Sequence, residues 1–345
     1  MRATGILATA LGAALLASPL YAQWQTVTPG GDTICSDGSP FRFFVHRGDP
    51  EKLLIEFEGG GACWSSATCA LDTYTRRVSI DPEEAQRRGM LQGIYERTRA
   101  DNPVRDFTHV YIPYCTGDLH WGNVTKAYAT SQGTYTVHHR GALNARAAVA
   151  WAYENVLAPR QLLVAGCSAG GYGATAWSGE LMSHYPGASA AHLADSAAGI
   201  VPVGFFRTVL DSWGVANSPA WPAFIPSLAI ERLDPQRASL PDLYDGVAGY
   251  FPLSAFSQYN TLQDSTQSFY FYLSGAPLTE NWTLRMQDSV ARIRGANANF
   301  FSYTAPGSQH CVINRPEFYT TNVGGVPLTS WVQTLVDTHR PPSVP

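Results

Sequence analysis

The stretch QLLVAGCSAGGYGATA, residues 161–176, constrains this chain more than any other. An apolar run of strand character breaks at Gly166-Cys167-Ser168-Ala169-Gly170 and resumes as a small-residue segment with helical spacing. G-x-S-x-G between a strand and a helix is a nucleophile elbow, in which the glycines relieve crowding around a serine on a sharp turn. The alternative, a glycine-rich turn that happens to hold a serine, lacks a reason for the flanking strand and helix. Ser168 also stands at a helix N-terminus, where free N–H groups favour developing negative charge. Ser178 and Ser183 fall inside the predicted helix and lack that setting.

The rest of the chain repeats the alternation. Residues 24–27 and 41–46 flank turn-rich segments and read as an antiparallel N-terminal hairpin. Strands are predicted over 53–57, 108–113, 161–166, 190–194, 269–274 and 299–303. Helices are predicted over 81–99, 140–157, 170–184, 280–294 and 327–339. Such alternation predicts an α/β fold with a mostly parallel sheet covered on both faces. Residues 200–260 break the rhythm with Pro219, Pro222, Pro226 and Pro235 among several aromatic residues. They read as an irregular cap over the sheet's carboxyl edge, inside a single catalytic domain spanning 23–345.

Residues 1–22 carry one basic residue, Arg2, an apolar run over about 5–17, and then Ser18, Pro19 and Ala22. This pattern predicts a signal peptide cut after Ala22, although Leu20 is an unfavourable residue three before the cut. The run is too short for a membrane anchor, which needs about 20 apolar residues. The mature chain is expected in a secreted or periplasmic, oxidising compartment. Without the leader it has 22 basic against 27 acidic residues, no run of like charge, and few charges for its size. Nucleic acid and anionic membranes are therefore not expected partners. The aromatic content, 12% with only 14% charged residues, argues against disorder.

A serine hydroxyl needs a base, and with this elbow the order along the chain is Ser, acid, His. Of the histidines after Ser168, His184 and His339 fall in predicted helices and His192 in a strand, while His310 lies in a loop after the last strand. His310 is the expected base. Asp195, ending one predicted strand, and Asp264, preceding another, are equally placed as the acid. The predicted strand over 53–57 runs into Glu58-Gly59-Gly60-Gly61-Ala62, positioned as the glycine loop that lends N–H groups to an oxyanion. Ala169, after the nucleophile, would add another donor. No Gly-Lys-Ser or Gly-Lys-Thr follows the glycines, which weighs against a phosphate loop.

The strings LLIEFEGGGACWSSATC, YIPYCTGD, VAGCSAGGYGA, ADSAAG and YNTLQDSTQ, taken in order, resemble the pectin acetylesterase family, which includes the carboxylesterase Notum. The resemblance implies an α/β-hydrolase-like fold and a carboxylesterase that needs no metal or other cofactor. It implies a triad of Ser168, Asp264 and His310, N–H donors at Gly60, Gly61 and Ala169, and a structural place for Asp195 near the site. The chain departs from Notum-like members at Gly61-Ala62, where those carry bulky aromatic residues, and this weighs against lipid deacylation. The resemblance also implies a Cys35–Cys115 pair.

The remaining cysteines read from their positions. Cys63 and Cys69 lie in one loop at a spacing that could close a small disulfide. Cys167 precedes the expected nucleophile and Cys311 follows the expected base, so bringing Ser168 to His310 makes a bridge plausible. That arrangement is similar to one in the tannase and feruloyl esterase family. Trp64, Trp121 and Trp221 could contact a sugar or aryl group, though packing is the commoner use of tryptophan. The expected substrate is an ester, with acetyl-type groups on a polysaccharide favoured over aryl or polymeric esters. An inactive secreted binding protein is the reading from another class. The sequons at Asn123 and Asn281 matter only in a host that glycosylates. Nothing in the sequence speaks to the oligomeric state.

Overall fold

The computed structural model describes residues 23–345 apart from 72, 80, 89, 90, 132, 233, 235 and 236. The signal peptide expected over 1–22 lies outside the described residues. In chain order the elements are β1 (Trp24–Val27), β2 (Phe43–His46), β3 (Asp49–Phe57), α1 (Ser66–Ala70), α2 (Pro82–Arg87), β4 (Phe107–Ile112), β5 (Val124–Thr130), β6 (Gly133–His139) and α3 (Gly141–Asn155). There follow β7 (Gln161–Cys167), α4 (Ala169–His184), β8 (Ser189–Asp195), α5 (Phe205–Trp213), α6 (Leu240–Tyr250), β9 (Phe256–Thr261), α7 (Ser265–Leu273), α8 (Trp282–Ala296), β10 (Phe300–Ala305) and α9 (Leu328–Asp337).

Among the described residues the central sheet runs β1-β2-β4-β3-β7-β8-β9-β10. The ladders from β4 to β10 are parallel, and β1 and β2 join antiparallel at one side. Both faces are covered because successive strand residues are apolar on both sides. Leu53, Ile55, Phe57, Leu162 and Val164 face a core shared with α3, α4, α6 and α8. Leu54, Leu163, Ala165 and Leu193 face a second core closed by α9 and the segments around Ile94 and Phe318.

The chain leaves β3 toward β4 on one side, and leaves β7 toward β8 on the other. Their connections therefore diverge, which opens a crevice at the carboxyl ends of two paired strands, the usual place for a ligand in such sheets. Phe57 pairs with Gly166 at that end, so the residues after β3 and after β7 face each other across it.

Four expectations need correction. The helix expected over 81–99 stops at Arg87; further on, Gly93 takes φ +61 and begins a 3-10 turn. A Cβ at Gly93 would lie 2.1 Å from the Ile313 carbonyl, so a side chain there is excluded. The strand expected over 269–274 is helix α7, whose N-cap Asp264 accepts the Gln267 N–H at 2.8 Å. The aromatic run 269–272 has strand propensity, but the cap and packing on one face override it. Residues 200–260 are not irregular throughout: they hold α5 and α6, and they end in β9, a fully buried strand of the central sheet. Polar Ser257, Gln258 and Asn260 hide that strand from a hydrophobicity pattern. His339 lies just past α9 rather than within it.

Candidate active site

Gly166 and Gly170 explain the elbow. A Cβ on Gly170 would stand 1.9 Å from the Phe57 carbonyl oxygen, and one on Gly166 would stand 2.3 Å from the carbonyl of Gly170. Only hydrogen at these positions lets β7 end against β3 while α4 begins over it. Between them Ser168 takes φ 56, ψ −124 as the N-cap of α4, a strained backbone for a non-glycine residue. It is held there by its own N–H on the Asp195 carbonyl at 2.8 Å and by the Gly171 N–H on its carbonyl at 2.9 Å.

His310 follows β10 in a loop. Its Nδ1 lies 2.8 Å and 3.0 Å from the two oxygens of Asp264, which is fully buried. The same carboxylate accepts the backbone N–H of Gln267 at 2.8 Å and its side-chain amide at 3.1 Å. Gln267 was not singled out from the sequence; its offset of three from Asp264, the N-cap-to-N3 spacing, was the available signal. Its amide also donates to Asn260 and its oxygen accepts the Ala198 N–H.

Asp195 does other work. Its Oδ2 accepts the N–H groups of Val312 and Ile313 at 2.6 and 2.9 Å, and its Oδ1 accepts the Ser196 hydroxyl. Ser196 in turn accepts the Cys311 N–H at 2.9 Å. Burial pushes the Asp195 carboxyl up to about 6, against the lowering effect of these hydrogen bonds. Asp195 thus anchors the backbone that carries His310, whereas Asp264 meets the ring.

Ser168, Ala169, Gly61 and His310 line one cavity, together with Trp64, Phe205, Tyr270 and Trp282. Among the described residues no Lys, Arg, Asp or Glu lines it. Ser168 and His310 face the same cavity without a direct hydrogen bond between Oγ and the ring, a contact that commonly tightens only in the Michaelis complex. Gly60 faces a different, open cleft beside Thr73 and Arg76. Of the three tryptophans, only Trp64 reaches the site, where it meets Phe205 edge-on at 4.9 Å. Trp121 and Trp221 are buried, pack on each other at 5.6 Å and do not line the Ser168 cavity; Trp221 borders a separate pocket beside Pro219 and Phe224.

Disulfides join Cys35 to Cys115, Cys63 to Cys69 and Cys167 to Cys311. The last links the neighbour of Ser168 to the neighbour of His310. Ligand atoms of Cys167, His310 and Cys311 lie within 4.8 Å of one another, as do those of Cys63, Cys69 and His139. With their sulfurs in disulfides, neither set offers the thiolates such a metal site would use.

Residues 25–207, just over half of the chain, match the family model described as PAE, Pectinacetylesterase. The curated palmitoleoyl-protein carboxylesterase notum2 of Xenopus laevis is 32% identical over 96 residues, 27% of this chain and 19% of that protein. The palmitoleoyl-protein carboxylesterase NOTUM of Schmidtea mediterranea is 30% identical over 103 residues, 29% and 20% respectively. The chain therefore spans about a fifth of the curated relatives it matches. Two crystal forms of the Wnt deacylase Notum from Drosophila superpose with TM-scores of 0.57 and 0.63, covering 91% and 90% of this chain and 92% of theirs at 18% identity. The architecture is that of an α/β-hydrolase-like fold.

Proposed function

This chain belongs to the pectinacetylesterase family, and from that membership we infer that it is a carboxylic ester hydrolase acting through Ser168, His310 and Asp264. The observation that carries the reading is the buried Asp264 carboxylate on Nδ1 of His310, whose ring lines the same cavity as the strained Ser168. His310 Nε2 accepts the Ser168 proton as Oγ bonds to the ester carbonyl carbon, and Asp264 holds Nδ1–H and balances the imidazolium. The carbonyl oxygen, now negative, rests on N–H groups of Gly61 and Ala169, which both border the cavity. Gly60, facing the other cleft, is the weaker donor candidate. The alcohol departs with the proton from His310, and water repeats the sequence in reverse to release the acid.

Acetyl-type groups on a polysaccharide remain the leading substrate. The uncharged cavity with Trp64, Phe205 and Trp282 favours a second reading, an ester with an aromatic or polymeric apolar part. Three disulfides fit an oxidising compartment and hence export after removal of residues 1–22. No described helix is long and apolar enough to cross a membrane. We take residues 23–345 as one catalytic domain in which the segment from about residue 200 to the start of β9 forms the cap. Wild type and Ser168→Ala assayed on p-nitrophenyl acetate, longer p-nitrophenyl esters and aryl esters test the reading. Turnover lost in Ser168→Ala supports it, and no turnover in wild type favours the binding protein.

A further inference from the structure

Among the described residues the pair Leu119-His120 stands apart: two successive non-glycine residues with left-handed backbone, φ 58 and φ 63. Both are buried, and the strain is held from several sides. The Leu119 N–H donates to the Tyr114 hydroxyl at 3.0 Å and the His120 N–H to Asp118 at 3.2 Å. The His120 carbonyl accepts the Trp177 indole N–H at 3.2 Å. Asp118 is itself fixed by the Thr116 hydroxyl and by the N–H of Gly141 at the start of α3.

The contortion places the His120 ring under the glycine loop that follows β3. His120 Nε2 lies 2.9 Å from the Glu58 carbonyl oxygen. A carbonyl only accepts, so Nε2 carries the proton. Burial pushes the His120 pKa down to about 4, which keeps the ring neutral and the tautomer fixed above that range. Gly173 of α4 leaves room for the ring, since a Cβ there would stand 2.8 Å from it.

In a trans peptide the C=O of one residue and the N–H of the next point in opposite directions. Fixing the Glu58 carbonyl toward His120 therefore fixes the Gly59 N–H away from it. Two residues on, the Gly60 carbonyl accepts the Thr75 N–H at 2.8 Å, so the Gly61 N–H points away from Thr75. Gly61 borders the Ser168 cavity. The three glycines have little intrinsic preference of their own, so their orientation depends on such pins.

We propose that His120 is a positioning residue, whose hydrogen bond to the Glu58 carbonyl fixes the start of the Gly59–Gly61 loop and, together with the Thr75 N–H on the Gly60 carbonyl, keeps the Gly61 N–H in place for the developing oxyanion. The proposal rests on the esterase reading above. Donors aimed in advance act on the transition state more than on the bound ester, so the effect falls on kcat.

The test uses p-nitrophenyl acetate turnover by the full mature chain and inhibition by phenylboronic acid, which mimics the tetrahedral intermediate. His120→Phe keeps a ring but loses the donor; kcat is expected to fall about 10- to 100-fold with KM within about threefold. Boronate inhibition should weaken by a similar factor. His120→Gln returns an amide N–H near the Nε2 position and should recover most of the loss. The proposal is overturned by His120→Phe with unchanged kcat, by His120→Gln no better than His120→Phe, or by KM rising alone. Should His120→Phe not fold, 15N chemical shifts of His120 in wild type decide: the Nε2–H tautomer supports the pin, and an Nδ1–H tautomer overturns it. Absence of turnover in wild type would instead sink the esterase reading on which the pin depends.

Discussion

At the scale of single residues, the two aspartates near His310 differ in what they hold. Asp264→Asn replaces the oxygen facing Nδ1 in one orientation and should lower kcat on the order of 10³- to 10⁴-fold. Asp195→Asn should act mainly through the loop it anchors, costing about 1–3 kcal/mol of stability and less turnover. Comparable losses of kcat in both, with unchanged denaturation midpoints, would contradict this division. Order along the chain does not separate them, because both follow the nucleophile and each adjoins a predicted strand, Asp195 ending one and Asp264 preceding another. What separates them is which way each carboxylate faces, and that depends on the capped turn of α7. Ser168 is readable because the positions two before and two after it must be glycine; Gln267 leaves only its offset of three from Asp264, and His120 leaves no local signal, because its partner is the distant Glu58 carbonyl.

Burial also makes a prediction about pH. Glu56 is fully buried, accepts the Tyr95 hydroxyl at 2.6 Å and meets His109 Nε2 at 2.6 Å. Burial pushes its carboxyl up to about 8 and that of Glu58 up to about 7, from an ordinary 4.5. A carboxyl raised on folding stabilises fully below its unfolded value, and that contribution is lost as pH rises through the folded one. Unfolding free energies from denaturant melts should therefore fall as pH rises toward about 7 for Glu58 and about 8 for Glu56, by at most about 1.4 kcal/mol per pH unit for each carboxyl, and level off above pH 8. Glu56→Gln should flatten that slope; an identical slope in the variant would refute the assignment. Below about pH 6.5 the trend reverses for another group. Burial lowers His46, His120 and His139 to about 4 and His192 to about 3, so the unfolded chain takes their protons first.

At the scale of elements, the elbow is a three-way junction of β3, β7 and α4. Gly170→Ala would drive a methyl group into the Phe57 carbonyl and should cost more than about 3 kcal/mol, with activity lost alongside. Circular dichroism melts of a soluble variant close to wild type would refute the clash. Elements with one clear period, such as β3, α3, β7 and α4, were readable from pattern alone. β9 is hidden because its buried side chains include Ser257, which donates to the His192 carbonyl, and Asn260, which donates to the Gln258 side-chain oxygen. α7 reads as a strand because four consecutive aromatic residues carry strand propensity, whereas the Asp264 cap ahead of them and a shared face decide for helix. Tertiary context won in both cases.

At the scale of the whole molecule, the bridges divide by the length of chain they close. Cys35–Cys115 spans 80 positions and should contribute about 4–5 kcal/mol, more than Cys63–Cys69 across 6. Pairwise replacement by Ala, followed by urea unfolding, should rank them so. Replacing Cys167 and Cys311 by Ala should instead remove most turnover while the chain stays folded, since that bridge fastens the two loops of the site. Full turnover in that variant would remove the bridge from the mechanism.

The last residues of the sequence bear on how copies of this protein behave toward one another. β10 ends the central sheet, and Val344 lies along its outer side, donating its N–H to the Ser302 carbonyl and accepting the Thr304 N–H. The Trp331 indole N–H holds the Pro342 carbonyl and keeps that segment in place. A strip of backbone that could otherwise template pairing with a second chain is thus already occupied. Deleting residues 342–345 would bare it, and sedimentation should then show more self-association by the shortened chain than by the intact one; equal behaviour would refute the role. The tail, remote from the ester chemistry, acts as a guard on colloidal behaviour.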